Sequence, residues 1–151
     1  MIIEDSYPSA NWSGNDYNWQ PSQPNPTNPV LDDSVRDIVD AFTHDDHKAI
    51  ARLVPHDGNV QIFVDGKYSY SLKANDFYDT YLDGIESTQT DQYVIVDVRA
   101  NSDGTARVVA KHEYTDPWHK RAYVYHNYFL KMEGDEYVIR EFGTSNYAAG
   151  S

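Results

Sequence analysis

Hydrophobic and polar residues alternate through much of the second half of the chain, which is typical of β-strands with one buried face. The alternation begins near Thr90 and covers four segments: residues 90–100, 105–115, 121–132 and 136–143. Because only short turns separate these segments, consecutive strands are predicted to pair antiparallel in a meander.

Upstream of these strands, apolar residues recur at the spacing of an α-helix. After Pro29 they lie on one helical face, at Leu31, Val35, Ile38, Val39 and Phe42. Proline suits the first turn of a helix, so a helix is predicted to begin there. Asp45 or Asp46 is predicted to cap a second, short helix that ends before Pro55.

A hairpin and a third helix are predicted between this helix pair and the meander. Residues 60–64 and 68–72 flank a turn at Asp65-Gly66, and residues 74–82 form a helix with Gly84 as its C-cap. The predicted fold class is therefore α+β, with three N-terminal helices packed on a curved antiparallel sheet.

The turns determine which side chains share a face of the meander. With Asp103 at the centre of the first turn, one apolar face holds Val94, Val96, Val98, Val108, Ala110 and His112. In the next hairpin, the best hydrophobic match pairs His112 with Val124. A two-residue turn at Gly134-Asp135 adds a further set to the same face: Val124, His126, Tyr128, Leu130, Met132, Tyr137, Ile139 and Glu141.

The first 29 residues differ in composition from the rest, being rich in Pro, Asn, Ser and Gln and poor in aliphatic residues. Burial within such a segment cannot offset the entropy of ordering it, so residues 1–29 are predicted to be a flexible tail or linker. Trp12, Tyr17 and Trp19 leave open a tail that docks on its own domain or a neighbour. The folded domain is predicted to span residues 30–144, followed by a C-terminal tail at 145–151.

Composition and charge exclude several classes of function. A net charge of −12, with scattered Lys and Arg, argues against nucleic-acid binding, and no apolar stretch is long enough to span a membrane. The absence of cysteine excludes thiolate nucleophiles and cysteine-ligated metals. No cofactor is indicated. No leader-like segment follows Met1, which fits an intracellular protein or one trimmed of its targeting segment, so an extracytoplasmic location stays open.

The predicted order of elements over residues 30–144 resembles the NTF2-like superfamily. This is the cone-shaped α+β fold of nuclear transport factor, ketosteroid isomerase, scytalone dehydratase and the SnoaL-type cyclases. The resemblance is carried by the helix pair at 35–53, the segment 59–66 that follows it, and the closing hairpin at 131–139. That hairpin is similar to the family's Gly-x-x-aromatic-x-Ile ending. The resemblance implies a sheet curled around the helices, with an apolar pocket at the open end of the cone.

Polar groups on an apolar sheet face need hydrogen-bond partners or water, and a pocket would supply both. The candidate ligand-binding residues on this face are His112, Tyr114, His126, Tyr128 and Glu141. Histidine changes charge near neutral pH, and a glutamate in an apolar cavity can have a raised pKa. Core residues that tie the sheet to the helices would produce the same pattern.

Two functions fit these features. The first is a non-catalytic NTF2-like domain that binds a small apolar or amphipathic ligand or mediates protein association. The alternative is an acid–base enzyme of the isomerase, dehydratase or cyclase kind. In that enzyme, His112 or His126 would be the general base, Tyr114 or Tyr128 would donate to a developing oxyanion, and Glu141 would orient the base.

A homodimer paired through the sheet is also expected. The fold often pairs in this way, and Tyr123, Tyr125 and Phe129 are predicted to lie on the outer face.

Two other motifs have simpler interpretations. The quartet at residues 44–47 contains two His and two Asp and could hold a divalent cation. Helix capping by the aspartates accounts for it better, so no metal site is predicted. Trp118 and His119 form either an exposed aromatic contact or, as favoured here, a hairpin turn packed by its own ring.

Overall fold

The computed structural model describes residues 28–146, so the predictions for residues 1–27 and 147–151 lie outside the described part of the chain. Three helices and six strands follow one another in the order α1 Pro29–Thr43, α2 His47–Ala51, β1 Asn59–Val64, β2 Lys67–Lys73, α3 Ala74–Glu86, β3 Gln89–Ala100, β4 Thr105–Thr115, β5 Arg121–Glu133 and β6 Glu136–Ser145. None of these helices is long and apolar enough to cross a bilayer.

Local signals in the sequence start the first two helices where they were predicted. The Asn28 side chain accepts a hydrogen bond from the backbone N–H of Leu31, and Pro29 occupies the first turn of α1. Asp46 caps α2 by accepting from the backbone N–H groups of Lys48 and Ala49. The capping interpretation of the 44–47 quartet is therefore confirmed. Across the described residues, no group of three or more His, Asp or Glu side chains is arranged to hold a metal ion.

The third helix differs from its prediction. It continues through Gly84 to Glu86, with Ser87 at its C-cap, so Gly84 is not the cap. The apolar stripe explains the extension, because Ile85 continues the buried face formed by Phe77 and Tyr81. Two helices precede β1 and the third follows β2, so the helices are not all N-terminal.

The strands form one sheet in the order β2-β1-β6-β5-β4-β3. All neighbours are antiparallel except β1 and β6, which are parallel. The prediction of a wholly antiparallel sheet is therefore wrong at this pair. Turn signals determine the pairing direction only of strands that are adjacent in sequence. All four of the other strands lie between β1 and β6 in the chain.

A β-bulge in β3 changes which of its residues face the helices. Val98 pairs with Val108 as predicted, but Ile95 pairs with Ala110 and Asp97 with Val109, which leaves Val96 as the extra residue. Side-chain direction reverses at a bulge. Tyr93 and Ile95 are therefore buried on the helix-facing side, in the place predicted for Val94 and Val96.

A second bulge, between β5 and β6, corrects the prediction for Glu141. Leu130 pairs with Ile139 and Phe129 with Glu141, so Arg140 is the extra residue. Glu141 consequently lies beside Phe129 on the outer face, and Phe142 takes the inward position. In contrast, the predicted pairing of His112 with Val124 is confirmed.

The core lies between α1, α3 and the face of the sheet toward them, which we call the inner face. Its fully buried side chains include Val35, Ile38, Val98, Leu130 and Ile139. The opposite, outer face carries charged side chains, such as Arg99 and Asp97 of β3, which form an ion pair at 2.9 Å. At the β4–β5 turn, Trp118 is 76% exposed, so the favoured prediction of a turn packed by its own ring is wrong.

Candidate ligand-binding cavity

A cavity of about 460 Å³ opens on the inner face of the sheet, beside α3. Most of its lining is aromatic or aliphatic, including Phe42, Ile62, Phe77 and Phe142. Threonine, tyrosine and histidine side chains supply the polar groups. No Asp, Glu, Lys or Arg of the described chain lines it. The cavity therefore offers an apolar surface with a few neutral hydrogen-bonding groups, which is the usual composition of a small-molecule site.

Two histidines from neighbouring strands form one wall of the cavity. His112 in β4 is 3% exposed and His126 in β5 is 7% exposed, and their rings lie 5.3 Å apart. Phe42 of α1 contacts both rings, at centroid distances of 4.8 and 5.3 Å. The two imidazoles lie close together because His112 and His126 are diagonal neighbours on paired strands, and α1 covers them.

Burial keeps both imidazoles neutral at physiological pH. Desolvation lowers the pKa of His112 to about 4, although the nearby Asp91 carboxylate raises it. Desolvation also lowers the pKa of His126 to about 3, and the neighbouring His112 adds to this effect. Each ring therefore acts as a donor–acceptor pair rather than as a cation.

A chain of buried hydroxyl groups ends at His126. The Tyr81 and Tyr128 oxygens are 2.6 Å apart, and the Tyr128 and Tyr93 oxygens are also 2.6 Å apart. The Tyr93 oxygen then lies 2.9 Å from Nδ1 of His126. Burial raises the pKa of all three phenols well above the ordinary value, so they stay protonated. His112 has a separate partner, because its Nε2 lies 2.9 Å from Oγ1 of Thr90.

The structure brings together most of the predicted site residues. His112, Tyr114 and His126 line the cavity, and Tyr128 is wholly buried behind it in the hydroxyl chain. Glu141 does not join them. It lines a different pocket of about 170 Å³ on the outer face, together with Arg107 and Phe129.

Two participants were missed at the sequence level. Tyr93 was not among the predicted inner-face residues, because the β3 bulge leaves no signal in the alternation of hydrophobic residues. Tyr81 lies in the predicted third helix, but helical spacing alone does not reveal that its hydroxyl meets that of Tyr128. The high tyrosine content was the available signal, since buried tyrosines generally need a hydrogen-bond partner.

The outer face carries a second, weaker feature. Asp97, Val109 and Asn127 lie in one cross-strand row. Oδ1 of Asp97 and Oδ1 of Asn127 are buried, and neither has a hydrogen-bond partner within residues 28–146. Burial raises the pKa of Asp97, and Arg99 opposes this shift. A buried acceptor without a partner is costly, so this row stands out on an otherwise solvated face.

No protein-family model and no curated protein matches the chain by sequence. Solved structures do match it. A ketosteroid isomerase-like protein from Erwinia carotovora atroseptica is similar with a TM-score of 0.60 at 18% identity, covering 84% of this chain and 99% of that protein. An NTF-2 like protein of unknown function from Shewanella oneidensis has a TM-score of 0.59 at 15% identity, covering 80% and 99%.

A DUF4783 family protein from Bacteroides ovatus is also similar, with a TM-score of 0.59 at 12% identity over 74% of this chain and 93% of that one. Identities this low carry the fold and no activity. The chain therefore has the NTF2-like fold.

Proposed function

We propose that this domain is a non-catalytic binding module for a small, neutral, apolar or amphipathic ligand, held in the inner-face cavity. The observation that carries the proposal is the cavity itself, with a volume of about 460 Å³ and a mainly aromatic and aliphatic lining. A concave, mainly apolar surface of this size with a few polar groups is the usual form of a small-molecule site.

The chemistry of the lining supports a neutral ligand. Burial keeps His112 and His126 uncharged, and the lining residues include no charged side chain. A ligand anion would find no cation here, and the protein's net charge of −12 would repel it further. A ligand cation would find no carboxylate in the lining to offset its loss of hydration.

The acid–base enzyme is the weaker alternative. A general base works best with a pKa near the operating pH, whereas the pKa values of the two cavity histidines are about 4 and 3. The predicted orienting carboxylate is also missing, because Glu141 pairs with Phe129 on the outer face. The His–carboxylate contact on which that mechanism depended is therefore absent from the lining residues.

The proposal is tested by titration with N-phenyl-1-naphthylamine, a neutral probe that fluoresces in apolar surroundings. Val124 lines the cavity, and Tyr123 beside it faces outward. We expect the native protein to bind the probe, Val124→Trp to weaken binding by filling the space, and the matched control Tyr123→Trp to bind normally. A native protein that does not bind the probe, or a Val124→Trp variant that binds it unchanged, would contradict the proposal.

A second proposal concerns association: the outer face pairs with another copy of the chain. Tyr123 is 52% exposed there, and its ring packs edge-on against Tyr125 at 5.9 Å. Outer-face aromatics flanked by Arg107 and Lys111 also suit a contact surface that is part apolar and part charged.

A further inference from the structure

The hydroxyl chain behind the cavity has a direction. Tyr81, Tyr128 and Tyr93 each carry one O–H proton, and the chain ends at Nδ1 of His126. When these three hydrogen bonds are the ones formed, each oxygen between the ends donates to one neighbour and accepts from the other. Only two arrangements satisfy this condition, with all protons pointing toward the histidine or all pointing away from it.

The two arrangements give the histidine opposite tautomers. If the protons point toward His126, Nδ1 accepts from the Tyr93 hydroxyl and the ring proton sits on Nε2. If they point away, Nδ1–H donates to Tyr93 and Nε2 is a bare acceptor. Within residues 28–146, Nε2 has no hydrogen-bond partner, and His126 lines the cavity. Nε2 is therefore the ring nitrogen left for a bound molecule.

The relative acidities of phenol and imidazole favour the first arrangement, in which the protons point toward His126. An imidazole nitrogen is a much stronger acceptor than a phenol oxygen, and a phenol is a stronger donor than a neutral imidazole N–H. The bond between Tyr93 and His126 is therefore stronger when the phenol donates. Hydrogen bonds aligned along a buried chain polarise one another, so the bonds between the tyrosines also become stronger when all protons point toward His126.

Resting on the proposed function, we propose that the tyrosine chain holds His126 in its Nε2–H tautomer, so that the cavity selects neutral apolar ligands that carry a hydrogen-bond-accepting oxygen. His126 is then a specificity-determining residue, and Tyr93 is the residue that sets its tautomer. His112 is not fixed in this way. Its one hydrogen-bond partner among residues 28–146 is the Thr90 hydroxyl, which can donate or accept.

The tautomer is tested on the ligand-free protein by ¹⁵N NMR of the histidine rings. We expect a proton-bearing Nε2 and a bare, hydrogen-bonded Nδ1 at His126. In Tyr93→Phe, which keeps the ring and removes the hydroxyl, we expect the two tautomers to mix. A proton on Nδ1 of His126 in the native protein would overturn the inference.

The ligand class is tested with a matched pair of probes, 2-acetylnaphthalene and 2-isopropenylnaphthalene. They differ mainly in a C=O that replaces a C=CH₂ group of similar size. In His126→Phe we expect the ratio of the ketone Kd to the alkene Kd to rise about tenfold over the native ratio, because one hydrogen bond is lost. Tyr93→Phe should raise the ratio by less.

The outcomes separate this inference from the proposed function. If both probes bind and the Kd ratio is the same in the native protein, His126→Phe and Tyr93→Phe, the inference fails while the binding module stands. If neither probe binds the native protein, the proposed function fails and the ligand class fails with it. A shift of the bound ketone's infrared C=O stretch to lower wavenumber, lost in His126→Phe, supports the inference directly.

Discussion

At the scale of single residues, the two cavity histidines link the stability of the fold to pH. Their pKa values fall from the ordinary 6.5 to about 4 and about 3 on folding. Below pH 6.5 the unfolded chain therefore binds more protons than the folded one. The contribution of the two histidines to the free energy of unfolding is therefore fully present above pH 6.5. It is lost as the pH falls toward their pKa values in the folded protein.

We predict that the free energy of unfolding decreases by about 3 kcal/mol between pH 7.5 and 5.5, with each histidine contributing about half. Ordinary carboxylates titrate mainly below this window, so they contribute little to the change. Urea denaturation at the two pH values measures it. In His112→Gln or His126→Gln the change should shrink by about half. An equal unfolding free energy at both pH values would contradict the buried, neutral state.

The hydroxyl chain gives a second prediction for a single residue. Tyr128 bridges two other tyrosines, so Tyr128→Phe removes one hydrogen-bond partner from the Tyr81 hydroxyl and one from the Tyr93 hydroxyl. We expect a loss of about 1–3 kcal/mol, the cost of buried groups left unpaired. The matched control, Tyr123→Phe, removes an exposed outer-face hydroxyl and should change stability by less than about 0.5 kcal/mol. Equal effects of the two substitutions in chemical denaturation would show that the chain contributes no stability.

At the scale of elements, the turns and the helical spacing determine most of the architecture from sequence. Strand bounds agree to within two residues, and the pairing of His112 with Val124 is as predicted. The bulges at Val96 and Arg140 could not be foreseen. A bulge inserts one residue without disturbing the local alternation enough to be recognised, yet it reverses the side chains beyond it.

The parallel β1–β6 pair can be tested through two glycines. A Cβ on Gly143 would lie 3.2 Å from Cβ and 3.4 Å from the carbonyl oxygen of Phe63, because β1 passes close to β6 there. We expect Gly143→Ala to destabilise the fold by about 1–3 kcal/mol through overpacking. Gly84, inside α3, has no atom within 4 Å of an added Cβ.

Gly84→Ala is the matched control, and it should stabilise the protein by about 0.5–1 kcal/mol because glycine is unfavourable within a helix. Thermal or chemical denaturation compares the two variants. A Gly143→Ala protein as stable as the native one would mean that β1 does not approach β6 this closely.

At the scale of the whole molecule, the cavity arises where inward residues of β4, β5 and β6 meet α1 and α3. The sequence predicted His112, Tyr114 and His126 in it because period-two spacing and the hairpin turns together fix their face. It could not predict Tyr93 in the hydroxyl chain behind the cavity or exclude Glu141 from the cavity, because both depend on bulges. The position of α3 beside the cavity depends on long-range packing against the sheet, which no local sequence pattern predicts.

The predicted homodimer is also a property of the whole molecule. If the outer face pairs with a second copy, light scattering at increasing concentration should report twice the mass of the 17.3 kDa chain. Tyr123→Glu, which adds a carboxylate to that face, should shift the equilibrium toward the monomer. Tyr70→Glu is the matched control, because Tyr70 is similarly exposed at 46% but lines the cavity rather than the outer face. A native protein that stays monomeric at high concentration would contradict the proposal.

The central claim is that a neutral molecule binds on the inner face, and adjacent residues of β6 can test it because they point to opposite faces. The measurement is a set of intermolecular NOEs between 2-acetylnaphthalene and the protein. We predict NOEs from the probe to the side chains of Phe142 and His126, which line the cavity. NOEs instead to Glu141 and Phe129 on the outer face would contradict the account.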